Sequence, residues 1–380
     1  MNIPECREKI DAIDKELLRL FTERMGISKE IAAYKKENSI PTLDLKRERE
    51  KMLSVFNASS DEMIDYAPGF FSIILELSRS YQNKLNGARS DLTERIENAI
   101  ETTDKLFPER ADVACQGVEG ANSQLATDKL FRNPNIMYFA SFEAVFSAIE
   151  KGLCKYGVIP VENSTAGSVN SVYDLMLKHH FSIVRSIRLK IEHNLLANEG
   201  TKLSDIKEIY SHEQAISQCS EFLSTLKGVK IIPCENTAVA AKMVAESKRN
   251  DVAALSSLMC MKYYGLSCVK ESVQNQDNNY TRFICIAKQL EIYPGANRTS
   301  IMLTLSHEPG ALYKILSRLY ALGINLNKLE SRPLPNREFE FMFYFDLDAP
   351  VYSPKLIQLM AELPGACESF NYLGSYSEII

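Results

Sequence analysis

The chain has 380 residues, is 45% hydrophobic and 24% charged, and carries a formal net charge of −5. That length predicts two or three domains at roughly 100–200 residues each, the composition is that of an ordinary globular protein, and so mild a charge argues against a nucleic-acid or polyanion partner. No apolar run approaches the roughly 20 residues of a membrane span, and residues 1–14 lack the apolar centre of a signal peptide. The nine cysteines form no CxxC or CxxxC pair, which predicts reduced thiols in a cytoplasm and no structural zinc. The five histidines show no metal spacing, and neither a GxGxxG nor a P-loop is present. No cofactor is therefore expected.

Residues 4–37 read as one helix, with Ile10, Ile13, Leu17, Leu20, Phe21 and Ile31 recurring at helical spacing. At ~1.5 Å per residue it is about 50 Å long, more than a small domain covers, so its apolar face predicts a second chain. Arg24 lies about 20° off the line joining Leu17 and Ile31, and Lys35 about 20° from Arg24. A cation on an apolar stripe is costly unless it is paired or meets an anion. Asn38–Pro41 is a turn, and Asp44 reads as the N-cap of a second helix carrying Arg47 and Glu48. A third helix covers about 64–86, where Ser78 and Gln82 share a face at i,i+4. These polar groups either line one pocket in a helical bundle or are surface charge with a helix-bending serine.

The segments REKIDAIDKELLRLFTER, AAYKK and IPTLDLKRERE resemble the all-helical chorismate mutase domain over residues 5–86. The resemblance implies an intertwined helical dimer in which each pocket borrows one arginine. It assigns Arg7 as the borrowed cation and Arg24, Lys35 and Arg47 as local ones, with Asp44, Glu48, Ser78 and Gln82 completing the pocket. The chemistry suits the set. Chorismate, a dianion, must fold into a compact chair, and no nucleophile is needed. Arg7, Arg24 and Arg47 suit its carboxylates, Lys35 and Gln82 the ether oxygen that gains charge, and Glu48 its hydroxyl.

Residues 89–110 read as a polar linker holding one short helix. From Ala111 short apolar runs alternate with helical segments. Strands are expected at 111–115, 136–139, 156–161, 183–187, 231–233, 252–255 and 283–287. Helices are expected at 123–131, 142–151, 169–178, 213–226 and 237–248. The alternation predicts an α/β domain with mainly parallel sheets, and its length leaves room for two lobes around a cleft. Three donor-rich loops follow strands, at 116–123, 162–168 and 211–214. Each reads as a capped turn by itself; together they favour one anion site. Asn275–Phe283, NQDNNYTRF, delivers Thr281 and Arg282 onto the start of an apolar strand, the anatomy of either a ligand loop or a solvated one.

VIPVENSTAGSVNSVYDLM and Asn279–Phe283 resemble prephenate dehydratase over about 112–290, and Ser211-His212-Glu213-Gln214-Ala215 resembles its S-H-P-Q-A. Ala121 and Asn122 depart from the family's first loop. The resemblance implies a two-lobed domain like a periplasmic binding protein, with Thr281 as the catalytic hydroxyl. It adds Glu162, Asn163, Ser164, Thr165, Ser123, Gln214, Arg282 and Phe283 as substrate contacts. Departure of hydroxide is the barrier, so a hydrogen bond or proton to that oxygen is the main need. Thr281 either donates the bond or relays the proton. Glu162 is either a second donor or an orienter of its loop.

Residues 298–376 read as βαββαβ. Gly310-Ala311-Leu312-Tyr313 and Glu330-Ser331-Arg332-Pro333 resemble the ACT domain attached to prephenate dehydratases, a ferredoxin-like α+β fold. It implies phenylalanine bound between two such domains, with Gly310, Ala311, Leu312, Asn325, Leu326, Glu330, Ser331 and Arg332 at the effector. The whole pattern is that of a bifunctional enzyme arranged as a mutase domain (1–88), linker (89–110), dehydratase domain (111–290) and regulatory domain (298–376). Its small molecules are chorismate, prephenate and phenylalanine. It implies a homodimer or homotetramer in the cytoplasm, with no metal and no nucleic-acid or membrane partner. The rival readings are an anion-binding module with an amino-acid sensor, or a dehydratase whose helical bundle only dimerises.

Overall fold

The computed structural model describes residues 2–87, 90–334 and 341–380. In chain order the elements begin with α1 (Ile3–Glu37), α2 (Leu45–Ala58), α3 (Ala67–Asn86) and α4 (Asp91–Thr102). Then follow β1 (Asp112–Gln116), α5 (Asn122–Leu130), β2 (Asn135–Phe139), α6 (Phe142–Glu150), β3 (Tyr156–Asn163), β4 (Gly167–Ser168), α7 (Asn170–His179) and β5 (Ser182–Lys190). Next are β6 (Asn194–Ala197), β7 (Glu208–Ser211), α8 (Glu213–Gln218), α9 (Ser220–Ser224), β8 (Lys230–Pro233), α10 (Thr237–Ser247), β9 (Val252–Ser256), α11 (Leu258–Tyr264), β10 (Ser267–Lys270) and β11 (Tyr280–Ala287). The last are β12 (Arg298–Thr304), α12 (Ala311–Leu322), β13 (Asn325–Pro333), β14 (Phe341–Asp348), α13 (Pro354–Glu362) and β15 (Ser369–Ile379). The chain forms two compact units, Met1–Asn98 with Ile301–Phe370, and Ala99–Ser300 with Asn371–Ile380.

In the first unit, α1 starts with a capping box. Asn2 Oδ1 accepts from the Glu5 amide at 2.9 Å, and Glu5 accepts from the Asn2 amide at 3.2 Å, which satisfies two of the first-turn donors. Asp44 caps α2, its Oδ1 accepting from the Arg47 amide at 3.0 Å. Gly87 ends α3 with φ 62°, a left-handed conformation natural to glycine. Ser28 and Ala32 are the buried residues of α1. Their small side chains let α1 approach α3, and the Ser28 and Ser78 hydroxyls meet at 2.7 Å. The larger apolar side chains of α1 stay uncovered by this chain: Ile10 is 55% exposed, Ile13 58% and Leu17 46%.

The same unit holds most of the C-terminal βαββαβ segment, Ile301–Phe370, in which β14 lies between β13 and β12. Its helices α12 and α13 pack against α3. On β14, Met342, Tyr344 and Asp346 are buried, whereas Phe341 is exposed and Phe343 half-buried. Phe345 and Leu347 are buried as well, so the second half of the strand is covered on both faces.

The second unit is α/β with two sheets. One contains β5-β11-β3-β1-β2, and the other runs β10-β6-β9-β7-β8. The sheets are mixed rather than mainly parallel. β1 pairs parallel with β2 and β3, but β11 lies antiparallel between β3 and β5, and β6 is antiparallel to β9 and β10. The cause is that the chain returns late to its first sheet and inserts β11 against the direction of its neighbours. The expected helix 213–226 is split into α8 and α9 at Cys219. The strand expected at 283–287 starts three residues earlier, at Tyr280.

Candidate functional site

Three cavities collect the polar residues singled out above. The first, about 400 Å³, is walled by α1, α2 and α3 and lined by Arg24, Lys35, Asp44, Arg47, Glu48, Ser78 and Gln82. Lys35 Nζ donates to the Thr42 carbonyl at 2.7 Å, and Gln82 Nε2 to the Ser78 hydroxyl at 3.4 Å. Burial holds the Arg24 guanidinium below the ordinary arginine value. Arg24 Nη1 and Gln82 Oε1 are buried and lack a protein partner among the described residues. A buried cation without a carboxylate favours an anionic ligand, because an uncompensated charge in a poor solvent is costly.

The second cavity, about 520 Å³, is lined by Ser164, Thr165, Ala166, Gln214, Ser217, Gln218, Gln274, Asn275, Gln276, Asn278 and Asn279. Hydroxyls, carboxamides and backbone groups line it, and none of these side chains is ionised. Asn163 organises the wall beside it. Its Oδ1 accepts from the amides of Thr165 at 3.1 Å and Ala166 at 2.9 Å, and from the Thr165 hydroxyl at 2.7 Å. Since backbone N–H groups only donate, that atom is the oxygen. The opposite atom, Nδ2, therefore donates, at 2.8 Å to Asn279 Oδ1 and 2.8 Å to Thr281 Oγ1. Gln218 extends the network. Its Nε2 donates to Thr165 Oγ1 at 2.6 Å, and its Oε1 accepts from Asn279 Nδ2 at 3.0 Å and His193 Nε2 at 2.9 Å. Burial keeps His193 below the usual imidazole value, with the Gln218 contact opposing it.

The third cavity, about 530 Å³, surrounds the start of α12 and is lined by residues 305–313 with Phe341 and Phe343. Gly310, at φ 84°, caps that helix, a conformation that penalises any side chain.

Two family models match the chain: chorismate mutase type II over residues 6–83 and prephenate dehydratase over residues 113–291. The bifunctional chorismate mutase/prephenate dehydratase of Escherichia coli strain K12 is 32% identical over 380 residues, spanning 97% of this chain and 95% of that protein. The chain belongs to the bifunctional chorismate mutase/prephenate dehydratase family. Its reactions are the rearrangement of chorismate to prephenate and the conversion of prephenate to phenylpyruvate. A chloroplastic arogenate dehydratase/prephenate dehydratase 2 of Arabidopsis thaliana is 36% identical, covering 76% of each chain. The crystal structure of prephenate dehydratase from Arthrobacter aurescens in complex with L-Phe superposes with TM-score 0.65 at 25% identity, covering 70% of this chain and 90% of that one.

In the mutase region the local residues expected from sequence share one cavity, and Arg7 stands apart. It is exposed near the start of α1, about 25 Å along the helix from Arg24 at ~1.5 Å per residue. Ser28, Lys51 and Arg79 also line the cavity; Ser28 could have been found one turn after Arg24, and Arg79 immediately after Ser78.

In the dehydratase region the strand alternation divides the expected set. Thr281 pairs with Asn163, whereas Arg282 donates to Glu162 at 3.2 Å and to the Tyr376 hydroxyl at 2.8 Å, and its Nε lies 3.6 Å from Glu378. Successive strand residues point to opposite faces. Arg282 and Glu162, cross-strand partners on β11 and β3, therefore lie away from the Asn163–Thr281 pair. Arg282 is only 7% exposed and forms part of a charge cluster in which Glu378 also meets Arg188 at 3.0 Å and Arg298 at 3.9 Å.

Ser164, Thr165 and Gln214 line the second cavity. Phe283 packs in the core with Val158 and Cys285. Ser123 is buried at the start of α5, its carbonyl accepting from the Thr127 hydroxyl at 2.8 Å, and does not line the cavity. Its loop packs on α11 instead. Tyr264 donates to the Glu119 carbonyl at 2.6 Å, and a Cβ on Gly120 would come within 2.8 Å of Cys260 Sγ. Asn279 belongs to the matched Asn279–Phe283 motif, whereas Gln218, Gln274 and His193 carry no signal in the sequence, because their partners are remote along the chain.

In the C-terminal region Gly310, Ala311 and Leu312 line the third cavity. Asn325, Leu326, Glu330, Ser331 and Arg332 lie on β13 at the end of the strand order and are not among its lining residues. No helix among the described residues is long and apolar enough to cross a membrane.

Proposed function

We propose that the first cavity is the mutase site. Arg24 and Arg47 grip the carboxylates of chorismate in bidentate fashion, Lys35 and Gln82 donate to its ether oxygen, and Glu48 accepts from its hydroxyl. Asp44 and Ser78 hold the wall, Asp44 while capping α2. A second copy of the chain supplies Arg7 and covers the exposed apolar side of α1, giving a homodimer or a homotetramer. The single observation that carries this reading is the convergence of Arg24, Lys35, Arg47, Glu48, Ser78 and Gln82 on one cavity.

The second cavity and the Asn163–Thr281 pair form the dehydratase site. Asn163 donates to Thr281 Oγ1, which leaves the hydroxyl proton of Thr281 to point at a substrate oxygen. That hydrogen bond stabilises departing hydroxide. Ser164, Thr165, Gln214 and Gln218 hold the carboxylates and the ketone with neutral donors. Arg282 and Glu162 act through the strand framework.

The βαββαβ segment is an ACT regulatory domain. Its cavity at the start of α12 takes phenylalanine, which inhibits the enzyme, and the remaining expected contacts on β13 would serve a site shared with a second copy. The L-Phe complex of the Arthrobacter aurescens relative supports this effector. The enzyme works in the cytoplasm.

One experiment tests the whole reading. Purified protein is given chorismate without nucleotide, and prephenate and phenylpyruvate are followed separately, with and without phenylalanine. Both products should form, and phenylalanine should suppress phenylpyruvate. Absence of phenylpyruvate would refute the dehydratase assignment, and activity on prephenate alone would refute the mutase.

A further inference from the structure

The mutase cavity contains an arginine that resemblance did not supply. Arg79 Nη1 donates to Glu48 Oε1, and Arg79 Nη2 to Glu76 Oε2. The other oxygen of Glu76, Oε1, accepts from Nε of Arg318 on α12. Four charges of alternating sign are thus joined in one chain, Glu48–Arg79–Glu76–Arg318. All are withdrawn from solvent, with side-chain exposures of 23%, 17%, 8% and 12% in that order.

Glu76 is a buried carboxylate, which is costly unless matched by cations and hydrogen bonds. Each of its oxygens takes one guanidinium. Arg79 is a planar fork shared between two carboxylates. Burial works against its charge, yet Glu76 and Glu48 hold it above the ordinary arginine value. Its position is therefore a balance between the pull of Glu48 and that of Glu76. Removing Arg318 leaves Glu76 short of positive charge and draws Arg79 away from Glu48.

We propose that Arg79 is a positioning residue of the mutase site, holding Glu48 in place for the substrate, and that Arg318 of α12 holds Arg79 through Glu76. The proposal rests on the reading of Glu48 as a substrate contact. It makes the mutase pocket dependent on α12, the helix whose first turn borders the third cavity. A displacement of that helix bears directly on Glu48.

The test is steady-state kinetics of both reactions on full-length variants. Arg79→Met should lower mutase kcat/KM about tenfold or more, and Arg79→Lys should recover only part of the loss, because an ammonium cannot bridge both carboxylates as the fork does. Arg318→Met should lower mutase kcat/KM roughly three- to tenfold, and Arg79→Met/Arg318→Met should be no worse than Arg79→Met, since both act through one residue. Dehydration of added prephenate should be unchanged throughout; a parallel loss there would mean general damage to the fold and count against the proposal. Wild-type mutase kinetics in Arg318→Met, or losses that multiply in the double variant, would overturn it. Glu48→Gln separates the two ways to fail. If it disables the mutase while Arg79→Met does not, the site assignment stands and the positioning role falls. If it leaves the mutase intact, both fall.

Discussion

The two candidate catalytic pockets face substrates of similar charge with opposite chemistry. The cavity proposed for the mutase, on three helices, is lined by Arg24, Lys35, Arg47, Lys51 and Arg79. The cavity proposed for the dehydratase, on loops and helix α8, is lined by carboxamides and hydroxyls with no ionised side chain. On the proposed assignment of the two cavities, the reactions account for the difference. The mutase keeps both carboxylates of its substrate and must compress a dianion, so fixed cations stabilise the compact state and the charge that grows on the ether oxygen. The dehydratase must release one carboxylate as neutral carbon dioxide. A cation clamped on that group would stabilise the ground state that has to be lost. Neutral donors orient it without that penalty, and a neutral hydroxyl suffices at the departing oxygen.

The largest expected effect is at the neutral site. Thr281→Val keeps the branched shape and removes the hydroxyl, and should slow dehydration of added prephenate by about 10²–10⁴. A smaller loss would transfer the role to another group of the Asn163 network. At the charged site, Lys35→Ala should cost the mutase about 10²–10³ in kcat, the scale of one preorganised donor, with dehydration untouched. An unchanged mutase rate would remove Lys35 from the pocket.

Arg282 probes the contrast from a third side. As a member of the buried cluster with Glu162 and Glu378, its replacement by Met should destabilise the fold by about 3 kcal/mol, measured by denaturant unfolding, with little change in KM for prephenate. A substrate role would reverse that pattern, raising KM with stability retained. The smallest effect is that of salt. Raising ionic strength from about 0.1 to 1 M shortens the screening length from about 10 Å to 3 Å. KM for chorismate should rise a few-fold while KM for prephenate changes less. Equal responses would remove the electrostatic distinction between the pockets.

The clustering of the residues proposed for the mutase was legible in sequence because a helix is a local structure. Its period places Arg24, Lys35, Ser78 and Gln82 on definite faces before any tertiary contact is known. The grouping around the second cavity was only partly legible. The strand was expected to begin at Phe283, which left Thr281 and Arg282 in a loop free to face one ligand. The strand begins at Tyr280, and its period of two sends these neighbours to opposite faces. The same two-residue rule, applied three residues earlier, would have separated them. Gln218 and His193 carried no such signal, because their partners Thr165, Asn279 and Gln274 come from distant segments. The antiparallel insertion of β11 was equally hidden, since strand direction is decided by the path of the chain. The Glu48–Arg79–Glu76–Arg318 chain needs α3 and α12 side by side, and their separation of some 240 residues in sequence conceals it.

The most direct test of two chemically distinct sites is a product-resolved assay of Thr281→Val supplied with chorismate. Prephenate should accumulate at the wild-type rate while phenylpyruvate fails to appear. Loss of prephenate formation in step with phenylpyruvate would contradict the account.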